Sequence, residues 1–105
     1  MKNYDVYLTP DAIKDLEAIY EYIADTSGLP EVAWAYIEKL KNKCWDLKTV
    51  PLRGHKRDDL RKNLRIVTVD KNAVAAFEVN EKKRTVTILN IFYGGRDYET
   101  IMRNR

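Results

Sequence analysis

The sequence predicts an α+β fold. An antiparallel helical hairpin packs on a mainly antiparallel four-stranded sheet, in the order β-α-α-β-β-β, and a short C-terminal helix closes the chain. Three observations predict it. Two apolar stripes at helical spacing occupy the first half of the 105-residue chain. Three runs rich in β-branched residues, joined by short polar connections, fill the second half. Between the halves lies one polar, basic stretch without period, TVPLRGHKRDDLRKN at 49–63, which reads as a loop.

The elements follow in order. Residues 3–9, NYDVYLT, alternate loosely and read as a first strand. Thr9-Pro10-Asp11 is a helix start: a hydroxyl at the cap, proline in the first turn, then an acid. Ile13, Leu16, Tyr20 and Ile23, flanked by Ala12 and Ile19, supply the face expected to be buried, and Thr26-Ser27-Gly28 ends the helix. Pro30 opens a second helix with the stripe Ala33, Ile37, Leu40, Cys44, Leu47, bounded by Pro51. Helices of similar length joined by so short a link form a hairpin. Trp34, Tyr36 and Trp45 lie off the stripe, and the expectation is that they widen the core; the alternative is that they serve a partner.

Leu64–Val69, Ala73–Val79 and Thr85–Phe92 then read as an antiparallel meander. The middle run AVAAFEV is apolar on both faces apart from Glu78, so it belongs at the centre of the sheet. Its small Ala73, Ala75 and Ala76 allow a helix to approach closely. A short helix follows from Asp97, which is placed to cap it.

A chain of this length is expected to form one domain, residues 1–105, around one core. Its one cysteine, Cys44, excludes an internal disulfide and a cysteine-based zinc site, and fits a reducing compartment. No apolar run approaches the roughly 20 residues that span a bilayer, and MKNYDVYLTPD has no signal-peptide core. A cytoplasmic location without a membrane partner is expected, and no cofactor or metal. Charge is unevenly spread. Residues 1–50 carry 6 Lys+Arg against 9 Asp+Glu, a net −3, whereas residues 51–105 carry 13 against 7, a net +6. The basic half calls for an anionic partner, nucleic acid or acidic protein, unless it is simply a solvated rim.

The ending of the last strand, TVTILNIFYGGRDYETIM, stands out. Gly94-Gly95 permits a sharp turn with positive φ, after which Arg96 emerges at the strand end. A purely structural reading makes this a turn, a surface cation and a cap. Taken with the rest of the chain it says more. The string LRKNLRIVTVDKNAVAAFEVNEKKRTVTILNIFYGGRDYE resembles the C-terminal half of the RelE/ParE superfamily of toxins from bacterial toxin–antitoxin modules, where an apolar last strand ends in GRRDYE or a close variant. LTPDAIKDLEAIYEYI is similar to the LSxxAxxDLxxIxxYI opening of these toxins, and VPLRG to their P-x-x-G turn. The resemblance covers nearly the whole chain and is nearer to the ParE-like branch.

The resemblance implies a toxin of a type II, plasmid-stabilisation type system, which inhibits growth and is neutralised by a cognate antitoxin. Operator DNA would be bound only through that antitoxin. It leaves two targets open. RelE-like members cut messenger RNA in the ribosome without a metal; ParE-like members poison DNA gyrase. Cleavage at a 2′-hydroxyl needs a base, an acid and cations around the phosphorane. The available cations are Lys56, Arg57, Arg61, Arg65 and Arg96, and the acid–base candidates are His55, Tyr93, Tyr98, Glu78 and Asp97. Tyr93 aligns where several nuclease members carry histidine, and tyrosine serves there only if cations lower its pKa from about 10. Gyrase poisoning needs a recognition surface instead. The long helices and the GGRDYE ending are similar to those of ParE-like members, and that resemblance favours gyrase; ribosome-dependent RNA cleavage is the alternative. For either target the expected site residues are Arg65 and Arg96 first, then Tyr98 and Tyr93. A DNA-binding regulator is disfavoured, because no helix is both basic and exposed.

Overall fold

The computed structural model describes residues 3–104. Strand β1 (Asp5–Leu8) leads into helices α1 (Pro10–Ser27) and α2 (Pro30–Trp45), and α2 runs on into a 3-10 turn at Asp46–Lys48. Strands β2 (His55–Lys56), β3 (Arg65–Asp70), β4 (Ala73–Asn80) and β5 (Thr85–Tyr93) follow, and helix α3 (Tyr98–Arg103) closes the chain. The sheet order is β1-β5-β4-β3-β2. All neighbours are antiparallel except β1, which runs parallel to β5.

The α+β class is as expected, with one more strand than the four expected. The extra strand, β2, lies inside the stretch expected to be a loop; two residues are too few to show alternation. It forms because Gly54, at φ 83°, brings the chain against β3 so closely that a Cβ there would collide with the Ile66 carbonyl.

Local chemistry explains the helix ends. The Thr9 hydroxyl accepts the Ala12 N–H at 3.1 Å, Pro10 occupies the first turn, and Gly28 closes α1 in the left-handed region at φ 71°. The buried face of α1 is Ala12, Leu16 and Ile19, rotated from the expected stripe, and Ile13 is 49% exposed. The stripe of α2 is buried as expected, including Leu47 beyond the helix end.

The helical hairpin covers one face of the sheet, over Val67, Val69, Ala75, Phe77, Val86, Ile88 and Ile91. The opposite face is covered in part by a second cluster, in which Leu60, Leu64 and Met102 pack on Ile66, Ala76 and Phe92. This second layer is why β4 is apolar on both faces: Ala75 and Phe77 meet the hairpin, while Ala76 meets α3 and the 57–64 segment. No helix among the described residues is long and apolar enough to cross a membrane.

Candidate functional site

The sheet presents two distinct ends. At the first, β3 begins with Arg65, paired in register with Phe77, which is paired in turn with Ile88. The Arg65 guanidinium donates to the Leu52 carbonyl at 2.6 Å and to the Arg53 carbonyl at 3.4 Å, tying the segment after α2 to the sheet. Beside it, part of the second sheet face lies open as a cleft of about 720 Å³ lined by Lys56, Glu78, Asn80, Lys82, Lys83 and Thr87. Its cations are partly neutralised. Arg61 pairs with Glu78 at 3.2 Å, and Lys56 lies 3.7 Å from Asp58.

At the second end, β5 finishes at Tyr93, opposite Ala73, and Gly94 and Gly95 turn the chain with φ of 75° and 74°. Few residue types other than glycine adopt two such values in succession. The Arg96 guanidinium lies 5.7 Å over the Phe92 ring, and Phe92 in turn packs on Tyr98 at 6.0 Å. Asp97 caps α3, accepting from the Thr100 N–H at 3.2 Å and its hydroxyl at 2.7 Å. These bonds hold its carboxyl below the ordinary range. Glu99 on α3 reaches back to Arg57 at 2.6 Å, and Arg57 also holds Asp59 through two 2.9 Å bonds. Arg57 is thus a clamp between the basic segment and α3.

Arg96 and Tyr98 therefore come together, with Phe92 between them. Arg65 does not join them. Five residues of extended strand separate the row of Ile88 from that of Tyr93, about 16 Å at the rise of a β-strand. The two tyrosines are also apart: Tyr93 packs with the hairpin on one face, and Tyr98 belongs to the cluster on the other. His55 is exposed on β2, its backbone paired with Ile66.

Two carboxylates that no motif marked organise the surroundings. Asp15 accepts from the Asn90 side-chain amide and from the Ile91 N–H, both at 2.9 Å. It stands three residues after Ala12 and four before Ile19, so an acid on the buried face of α1 was the available signal. Asp70, at the end of β3, accepts from the Tyr36 hydroxyl at 2.8 Å and pairs with Lys39 at 3.0 Å. The Tyr36 bond, then Lys39, lowers the Asp70 pKa to about 2; burial, then Asp70 itself, pushes Tyr36 above the ordinary tyrosine range. Tyr36 packs edge-on against Tyr93 at 5.6 Å, and Tyr93 meets Tyr22 at 6.0 Å.

On the flank of the hairpin, β1, α1 and α2 enclose an apolar groove of about 770 Å³. Tyr7, Ile13, Trp34 and Trp45 on its walls are exposed by 54, 49, 55 and 40%. The two tryptophans expected in the core are on the surface; only Tyr36 of the three off-stripe aromatics packs against it.

The sequence model of the family described as "ParE toxin of type II toxin-antitoxin system, parDE" matches residues 6–98. The chain belongs to this family. The match runs from β1 to the first residue of α3, and so includes both sheet ends. Among solved structures, the chromosomal ParDE toxin–antitoxin system of P. aeruginosa superposes with a TM-score of 0.73 at 25% identity, covering 86% of this chain and 95% of that one. The RelBE2 toxin–antitoxin complex of Mycobacterium tuberculosis gives 0.61 at 23% identity, with 89% and 93% covered. The archaeal RelE–RelB complex of Pyrococcus horikoshii gives 0.56 at 17%, with 90% and 98% covered; both share the fold. No curated protein matches the chain. The protein is a type II toxin–antitoxin toxin of the ParE/RelE family.

Proposed function

We propose that this ParE-family toxin arrests growth by poisoning DNA gyrase. One observation carries the choice of target. The four expected site residues do not converge: Tyr93 and Tyr98 pack on opposite faces, and Arg65 lies a strand length from Tyr93. Phosphodiester cleavage without a metal needs its acid, base and cations around one phosphorus atom, within a few ångströms. A recognition surface has no such requirement. Arg96 and Tyr98, displayed side by side after the glycine turn, suit one.

A cognate antitoxin is the expected partner, and the groove between β1, α1 and α2 is the surface proposed for it. Two exposed tryptophans in an apolar cleft are anchors of the kind that dominate protein interfaces. Solved structures similar to this chain are toxin–antitoxin complexes.

The open cationic cleft beside Arg65 favours a second reading, metal-independent cleavage of messenger RNA in the ribosome. Pulse-labelling of cells in the first minutes after induction separates the two. Under the gyrase reading DNA synthesis falls first while translation continues, and the purified toxin inhibits supercoiling. Translation stopping first would overturn it in favour of RNA cleavage.

A further inference from the structure

The two faces of the sheet differ in charge as well as in cover. The hairpin on one face belongs to the half of the chain with net −3, and every residue of the open cleft on the other belongs to the half with net +6. One wall of that cleft is formed by Asn80, Glu81, Lys82 and Lys83 of the turn between β4 and β5, and Arg84 continues the cationic run. All three cations are exposed, and none makes an ion pair among the described residues.

This turn is held in shape. The Asn80 side chain accepts the Lys83 N–H at 3.0 Å, and the Arg84 carbonyl accepts the Asp5 N–H at 2.9 Å. Arg84 adopts φ 54°, a left-handed conformation that costs glycine or asparagine less. A basic residue kept there, at the end of a run of three, points to use rather than to folding. Lys56 on β2 stands on the far side of β3 and β4 from the β5 end of the turn, three strand spacings or about 14 Å away. Cations therefore flank the cleft on both sides. Thr85 and Thr87 alternate with Val86 and Ile88, which face the hairpin, so their hydroxyls lie on the cleft side. Of its two acids, Glu78 is paired with Arg61, which leaves Glu81.

We propose that this cleft binds the phosphate backbone of duplex DNA, independently of sequence. A run of phosphates complements the flanking cations, and the hydroxyls between them add neutral donors. Duplex is favoured over single strand by the make-up of the lining. Proteins hold single strands by stacking bases on aromatic rings, and none of the residues lining this cleft is aromatic. No helix contributes to the lining either, so nothing enters a groove to read base edges. That the duplex is the segment engaged by gyrase rests on the gyrase reading above; the contact with phosphate does not.

The test uses the full chain and a fluorescein-labelled duplex of about 20 base pairs, read by fluorescence anisotropy. Equal affinity for two unrelated sequences is expected, with binding at least about fivefold weaker to a single strand of the same length. About four neutralised phosphates predict a fall of about hundredfold in affinity between about 50 and 200 mM salt. The double variant Lys82→Gln, Lys83→Gln should weaken binding about tenfold at the lower salt and reduce the salt slope by about two. Lys14→Gln with Lys43→Gln removes the same charge from the hairpin and should change neither. No binding at the lower salt, or equal losses in the two double variants, would overturn the proposal. Tighter binding of the single strand would overturn it too, and would hand the cleft to RNA. The two readings fail separately. A chain that binds duplex through Lys82 and Lys83 but spares supercoiling keeps the cleft and loses gyrase; one that inhibits supercoiling without binding duplex keeps gyrase and loses the cleft.

Discussion

Arg65 and Arg96 are residues of one type, each at an end of the same sheet, and the fold uses them differently. Arg65 is half-buried, and its guanidinium is engaged by the Leu52 and Arg53 carbonyls. Arg96 is exposed, and its guanidinium rests on the Phe92 ring with no polar partner among the described residues. A guanidinium with two of its five donors engaged by its own chain contributes to stability. One held in place by a ring face keeps its donors for a partner.

The largest expected effect lies at Arg96. Arg96→Ala should abolish most growth inhibition at matched abundance, while unfolding free energy stays within about 0.5 kcal/mol, as for other surface changes. Colony survival after induction, with urea unfolding of the purified variant, checks both halves. Full toxicity would erase the contrast and leave Arg96 a surface cation. Arg65→Ala should behave in the opposite way, costing about 1–3 kcal/mol because bonds from a charged donor to two carbonyls are lost. Proteolysis within residues 50–56 should accelerate with it. Arg65→Lys should recover only part, since an ammonium lacks the planar fork. An unchanged urea midpoint for Arg65→Ala would show that the tie to Leu52 is idle.

How far each end was legible in the sequence differs for a physical reason. The Arg96 end is built from local chemistry: two glycines at positive φ, and an aspartate three residues before the Thr100 amide it caps. Such features fall within a few residues of one another and can be read directly. The Arg65 end depends on Leu52 and Arg53, twelve or more residues away, and on a strand of two residues too short for a pattern. Asp15 is harder still, since its partner Ile91 is 76 positions distant. The α2 stripe was readable because period alone decides it. Ile13, Trp34 and Trp45 were not, because an apolar side chain beside a groove and one inside the core have the same periodicity. Arg65, Arg96, Tyr93 and Tyr98 could be singled out by type, but their separation onto different ends and faces required the sheet order.

Acid should sharpen the comparison at the Arg96 end, where Asp70 ties β3 to α2. Its carboxyl titrates at about 2 in the folded chain, against about 3.9 when unfolded. A depressed carboxylate stabilises the fold fully above the unfolded value and ceases to do so as pH falls through the folded one. Stability should therefore decline between about pH 4 and pH 2, by about 1–2 kcal/mol once the exposure of Lys39 is allowed for. Asp70→Asn should remove that part of the slope. An unchanged slope in the variant would assign acid sensitivity to other carboxylates.

The smallest expected effect is the most informative about the target. His55 is exposed, and its place in β2 depends on backbone pairing with Ile66, so His55→Ala should leave stability within about 0.5 kcal/mol. Under the gyrase proposal toxicity should not change, because a recognition surface at Arg96 would make no use of an imidazole on the far edge. Yet His55 is the only histidine in the chain, and the next residue, Lys56, is paired with Arg65 and lines the open cationic cleft. Complete loss of toxicity in a folded His55→Ala protein would place proton transfer at the Arg65 end. The target would then be RNA, and the two arginines would exchange roles: Arg65 beside the chemistry, and Arg96 a cation resting on a phenyl ring.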